Sequence, residues 1–320
     1  MNVHELVDEL YEVFADRIGE PLGDSARDLP RTLSLAPVSV PWSRVFSHEV
    51  TLGAPALFAE AMPEVDRSVL RSAVLAHLLA VVDAFGTDRI EDEQIEASPA
   101  VFAVLGRARR ERDRAVGRMF GGAVPPEFDF RAADSLTMRA IRRERAVLSS
   151  GQPVDLAAYE HVSLDKQCAG IVASVALARA AGWGAARCRA VRKTLESVSL
   201  GLQLADDVVD WEDDLRRGGA WAVSLVPGPT RAPGVQRPDR PESIRASVLQ
   251  SSVLATMLTR AWIHMRRARR RASALGARKL AAWATGQESR LRSLATAEAR
   301  SAGYAVRARA LAAWASEVLA

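Results

Sequence analysis

The chain has 320 residues, 48% of them apolar, which is ample for a core and fits one large domain or two small ones. Its 43 basic and 39 acidic side chains give a net charge of +4, and arginine supplies nearly all the basic charge, with lysine only at Lys166, Lys193 and Lys279. Acidic residues are interleaved with the arginines and no zinc-finger or other nucleic-acid motif is visible, so nucleic acid is set aside as a partner in favour of a small anionic molecule.

Ala, Leu, Arg and Val dominate, and dense alternating β-branched segments are missing. The fold class that follows is all-α: a single large helical bundle over 1–320. Helical spacing begins at about 2–19, where acidic and apolar residues mix without the basic start and apolar centre of a secretory signal. It recurs at about 53–62, 65–85, 98–119, 131–149, 154–181, 184–215, 241–275 and 276–319. Proline-containing breaks fall near 21–41, 124–126 and 227–241. The last, from Pro227-Gly228-Pro229 to Pro241, reads as a surface loop or lid next to an acidic stretch. No run of 18 apolar residues is present, so no membrane span is expected. Cys168 and Cys188 make neither a disulfide framework nor a zinc site, and the expectation is a soluble cytoplasmic protein.

In chain order, the first stretch that carries chemistry is His77-Leu78-Leu79-Ala80-Val81-Val82-Asp83-Ala84-Phe85-Gly86-Thr87-Asp88-Arg89-Ile90-Glu91-Asp92. An apolar helix runs into acid here, with Asp88 and Asp92 four apart and Gly86 marking an expected interruption of the helix. A polar loop after a buried helix is the competing reading. The second is Tyr159-Glu160-His161-Val162-Ser163-Leu164-Asp165-Lys166-Gln167, where a lysine stands between apolar helical stretches. Lysine offers phosphate a compact, mobile charge. A surface lysine paired with Asp165 or Glu160 is the alternative. His77 and His161 read as core histidines.

The third stretch is Gly201-Leu202-Gln203-Leu204-Ala205-Asp206-Asp207-Val208-Val209-Asp210-Trp211-Glu212-Asp213-Asp214. If its helix continues, Asp206, Asp210 and Asp214 fall on one face, one turn apart. Like charges at that spacing repel by a few tenths of a kcal/mol or more per pair, and a hard divalent cation such as Mg²⁺ removes that cost. A solvated acidic helix end is the plain alternative. Arg216 and Arg217, directly after the run, are candidate phosphate ligands by position.

These residues also carry a resemblance. Gly-x-x-Gln-x-x-Asp-Asp-x-x-Asp-x-x-x-Asp resembles the second aspartate-rich motif of trans-isoprenyl diphosphate synthases, and the spacing of Asp206, Asp210 and Asp214 is similar to the second metal motif of class I terpene synthases. Both families share an all-helical fold. Asp88 and Asp92, 118 residues before Asp206, resemble the first acidic motif, but the pattern is Asp88-Arg89-Ile90-Glu91-Asp92 and not Asp-Asp-x-x-Asp. Lys166-Gln167 resembles the Lys-Thr pair that contacts diphosphate in prenyl synthases.

The resemblance implies Mg²⁺ held by Asp206, Asp207, Asp210 and Asp214 and by Asp88 and Asp92. It implies a prenyl diphosphate bound by Lys166, Arg216 and Arg217, and catalysis by Asp206, Asp210 and Lys166. No Arg-Arg-Gly follows Asp92, the element that helps hold the second substrate in chain-elongating synthases. The expected activity is therefore that of a terpene synthase, which ionises an allylic prenyl diphosphate and releases a terpene. A trans-prenyltransferase that condenses the allylic diphosphate with isopentenyl diphosphate, or a non-catalytic partner subunit of one, is the alternative. Dimers are usual in the resembling families, so a homodimer is the assembly implied, and the sequence leaves the oligomeric state open.

Overall fold

The computed structural model describes residues 2–96, 98–150, 152–226 and 241–318, with the side chains of 241 and 304–318 left out. The proline-rich stretch expected as a loop or lid lies outside the described residues, apart from Pro241, which opens a helix. The described residues are all-α and contain no strand. The helices are α1 (Val3–Ile18), α2 (Leu22–Arg27), α3 (Leu29–Thr32), α4 (Trp42–Val45), α5 (Glu49–Phe58), α6 (Arg67–Glu91), α7 (Pro99–Met119), α8 (Phe130–Ser150), α9 (Leu156–Gln167), α10 (Ala169–Ala180), α11 (Ala185–Val209), α12 (Trp211–Arg217), α13 (Trp221–Ser224), α14 (Pro241–Gln250), α15 (Val253–Leu275) and α16 (Arg278–Val318).

The long periodic runs are helical, and the differences from expectation are local. Cys168 separates α9 from α10, and Asp210 separates α11 from α12. Between α14 and α15 the Ser251 hydroxyl accepts the Val253 N–H at 3.3 Å, a side-chain bond that competes with helix continuation. The break near 21–41 holds the short helices α2 and α3, with Pro30 in the first turn of α3, where its missing N–H costs nothing.

The residues form two compact units: Met1–Arg142, Leu164–Glu196 and Arg269–Ala282 in unit 1, and Arg143–Ser163, Ser197–Ala268 and Trp283–Ala320 in unit 2.

Unit 1 is built on α6. Its residues 72–83 are buried without a gap, and α5, α7 and α10 pack on it. Fully buried Leu78 and Leu79 each contribute about 2 kcal/mol of transfer free energy. By length and composition α6 could cross a membrane, and 67% of its apolar window is buried inside the protein. The His77 ring ties it to two neighbours, with Nδ1 2.7 Å from the Gly170 carbonyl and Nε2 3.0 Å from that of Thr51. His161, expected in a core, is exposed. Helix α1 buries Val3, Leu6, Val7, Leu10, Tyr11 and Phe14, a three-and-four spacing that makes one apolar face. Asn2 caps it by accepting the His4 N–H at 3.1 Å.

Unit 2 has its own core, which includes Tyr159, Leu204, Trp211, Trp221, Met257, Met265 and Leu291. Gly201 lets α11 and α15 approach: a Cβ there would stand 2.9 Å from the Met265 side chain and 3.3 Å from the Ala261 carbonyl oxygen.

Candidate functional site

In unit 2 the apolar helix α11 carries Asp206 and Asp207 in its last turn and stops at Val209. Asp210 leaves the helical region (φ −100°, ψ 5°) and starts α12. The hydrogen-bond ladder nevertheless passes through the bend: the Asp210 N–H donates to the Asp206 carbonyl and the Asp214 N–H to the Asp210 carbonyl, both at 2.9 Å. The three residues therefore keep one-turn spacing across two helices, and the acidic face expected of an unbroken helix survives the break. Asp206 and Asp210 are exposed and Asp214 is half-buried. Burial pushes the Asp214 carboxyl up to about 6; Arg217, 3.4 Å away, opposes the rise, and the charges of Asp210, Asp206 and Glu144 add to it. The smaller part contributed by Asp210 and Asp206 is the repulsion expected of carboxylates one turn apart.

Asp207 turns the other way. It is 7% exposed; its Oδ2 accepts from the Tyr159 hydroxyl at 2.5 Å and its Oδ1 from Gln203 Nε2 at 2.9 Å. Burial pushes its carboxyl up to about 7, although both hydrogen bonds pull it down. Expected as a metal ligand, Asp207 has both oxygens committed inside the unit. Arg216 bonds Asp213 and Arg217 bonds Asp214, each three residues along the same short helix.

In unit 1, α6 runs unbroken through Gly86, contrary to the interruption expected there. A Cβ on Gly86 would lie 2.7 Å from Leu105, so the glycine admits α7 and does not end the helix. Asp88 sits in the final turn and Asp92 at the cap, its N–H donating to the Asp88 carbonyl at 2.9 Å. Lys166 Nζ lies 3.0 Å from Asp88 Oδ1, and both side chains are 20% exposed. Two residues singled out in the sequence thus meet. Glu160, the alternative partner considered for Lys166, is instead held in unit 2 by Arg260 and by His264 Nε2 at 2.9 Å. Asp83 is buried and accepts from Arg109 Nε at 2.8 Å, with Arg112 at 3.8 Å. Arg112 in turn forks onto Asp134 through two 2.8 Å bonds. Asp83 and Thr87 line a cavity of about 430 Å³ on this side of unit 1.

The donor chemistry fits Mg²⁺, which takes carboxylate oxygens and retains water and phosphate ligands. Among the described residues no three acidic, His or Cys side chains stand together as a group that could hold a metal ion. Mg²⁺ usually keeps several water ligands and takes one or two protein carboxylates, so an open acidic face is compatible with it. The sequence reading missed Glu144, whose Oε1 accepts the Trp221 indole N–H at 2.7 Å. It stands among Arg142, Arg143 and Arg145, all three exposed.

No protein-family model matches the chain, and no curated protein matches it in sequence. Solved structures do match. An FPP/GFPP synthase from Zymomonas mobilis superposes with a TM-score of 0.56 at 15% identity, over 88% of this chain and 95% of that one. A polyprenyl synthetase from Streptomyces coelicolor gives a TM-score of 0.59 at 13% identity, over 89% and 97%. A polyprenyl synthase from Caulobacter crescentus, complexed with calcium and isoprenyl diphosphate, gives 0.54 at 19% identity, over 88% and 97%. These likenesses, spanning nearly the whole of each chain, give this protein the all-α fold of the class I isoprenoid synthases.

Proposed function

We propose that the protein is a Mg²⁺-dependent enzyme acting on an allylic prenyl diphosphate, and that it is a prenyltransferase, adding isopentenyl diphosphate to that substrate. The observation that carries this reading is the one-turn spacing of Asp206, Asp210 and Asp214 across the α11–α12 bend, with Asp206 and Asp210 exposed and Asp214 half-buried. The likeness to prenyl diphosphate synthases moves the weight from the terpene synthase expected from sequence to the transferase. In this reading Asp206 and Asp210 are the principal metal ligands and Asp214 completes the face. Asp207 anchors the helix from inside. Asp88 and Asp92 are assigned the same metal-binding role by the resemblance of their motif. Lys166, held ready by Asp88, donates to the diphosphate, and Arg216 and Arg217 are placed close to the acidic face in sequence.

A bound Mg²⁺ supplies positive charge to the diphosphate oxygens and to the charge that develops as the allylic C–O bond ionises. A second reading, the terpene synthase, is favoured by one feature: Glu93-Gln94-Ile95-Glu96 follow Asp92 where elongating synthases carry an arginine pair.

Incubation with Mg²⁺ and geranyl, farnesyl or geranylgeranyl diphosphate, each with and without isopentenyl diphosphate, separates the readings. A longer diphosphate formed only when both substrates are present is the expected result. A hydrocarbon or alcohol formed without isopentenyl diphosphate establishes the terpene synthase. No turnover under any condition favours a non-catalytic subunit.

A further inference from the structure

We propose that Glu144, held by the Trp221 indole, is a positioning residue of the acidic face, its carboxylate accepting hydrogen bonds from the water ligands of a divalent cation bound by Asp206, Asp210 or Asp214. The inference rests on the metal reading of that face given above.

The geometry begins where α12 ends. The Gly219 N–H donates to the Asp214 carbonyl at 3.1 Å, so the chain leaving the acidic face folds back on it. At Gly219 a Cβ would lie 2.8 Å from the Cβ of Leu148, one helical turn beyond Glu144 on α8. The segment therefore lies along the Glu144–Leu148 side of α8, and two residues later the Trp221 indole N–H reaches Glu144 Oε1 at 2.7 Å. The Trp221 ring also meets Tyr159 edge-on, with centroids 5.0 Å apart, and the Tyr159 hydroxyl holds Asp207 at 2.5 Å. Glu144, Trp221, Tyr159 and Asp207 thus form one continuous chain of contacts that ends on the residue next to Asp206.

The charge pattern agrees. Glu144 is among the groups whose negative charge pushes up Asp207 and Asp214, so its carboxylate acts in the same field as the acidic face. The Trp221 indole is a neutral donor to that carboxylate. A further carboxylate in the field of Asp214 adds to the repulsion there, and a hydrated divalent cation turns that cost into binding. Glu144 comes from α8, well away in sequence from the Asp-rich motif, and acts on the metal through the waters that Mg²⁺ keeps.

The test uses the full chain and Mn²⁺ alone as the probe, with free Mn²⁺ followed by electron paramagnetic resonance. E144Q removes the charge and keeps an oxygen that accepts from Trp221; its metal-free melting temperature stays close to that of the parent, and its Mn²⁺ affinity falls about tenfold. W221F keeps the carboxylate and loses its anchor, and its affinity falls severalfold. D206N serves as the reference for a face without its principal ligand. Parent-like affinity in both E144Q and W221F, with D206N weakened, overturns the role of Glu144 and leaves the metal reading standing. Parent protein that binds Mn²⁺ no better than D206N overturns the metal reading itself, and the role of Glu144 with it.

Discussion

Replacing Asp207 with asparagine should make the protein more stable at pH 8 and remove a pH dependence. The Asp207 carboxyl is 7% exposed, and its folded-state value is pushed from 3.8 to about 7, with burial as the leading cause. The folded state therefore holds the proton more tightly than the unfolded chain. The stability this group contributes is fully present below about pH 4 and is lost as pH rises through about 7. A shift of about 3 units corresponds to about 4 kcal/mol, and the near-complete burial means little solvent screening reduces it. Asparagine keeps an oxygen for the Tyr159 hydroxyl and carries no charge, and a turned Gln203 amide can face its NH₂ group. D207N should therefore gain on the parent between pH 5 and 8, ending about 2–4 kcal/mol more stable. The assay is urea unfolding of both proteins without divalent metal, read by tryptophan fluorescence at each pH. Two compact units make the transition more than two-state, so the difference between the proteins is the quantity compared. A difference that stays constant over this range, or shrinks as pH rises, refutes the reasoning.

Tyr159→Phe removes the hydroxyl that donates to the buried Asp207 carboxylate, and should cost about 1–3 kcal/mol, more at pH 8 than at pH 5, by the same denaturation series. Gly86→Ala places a Cβ 2.7 Å from Leu105 and should cost about 1–3 kcal/mol of overpacking, less the gain in helix propensity of about 1 kcal/mol. A stabilised G86A in thermal unfolding would mean that α7 does not pack closely there. Lys166→Ala frees Asp88 from an ion pair between side chains each 20% exposed, so stability should change by less than about 1 kcal/mol. Its KM for the allylic diphosphate should rise about tenfold, and an unchanged KM would remove Lys166 from the diphosphate site.

The features legible in the sequence are those written locally. The spacing of Asp206, Asp210 and Asp214 survives the bend at Asp210 because consecutive one-turn hydrogen bonds keep the register. The apolar run of α6 likewise announced a buried helix. Gly86 shows the limit: a glycine that breaks a helix and one that admits a neighbour look alike until Leu105 is placed beside it. Adjacent helical residues point about 100° apart, so Asp206 and Asp207 were bound to face different surroundings. Which one turns inward was decided by Tyr159, 48 residues away. Glu144 left no trace, since its partner Trp221 is 77 residues distant and its own neighbours are exposed arginines. The short helices between Leu22 and Val45 were hidden because Pro21, Pro30 and Pro41 read as breaks, although proline is well tolerated at a helix start. The choice between terpene synthase and prenyltransferase turned on a missing arginine pair, a single local absence, against which the proposed reading sets a likeness of fold over nearly the whole chain.

The most direct test of the central claim is the anomalous diffraction of crystals grown with Mn²⁺ and a non-hydrolysable allylic diphosphate analogue. The predicted result is a metal peak at coordination distance from the carboxylate oxygens of Asp206 or Asp210, with the diphosphate as a further ligand and Asp207 still bonded to Tyr159. A bound analogue with no metal at either residue, or metal only at sites away from the α11–α12 bend, would contradict it.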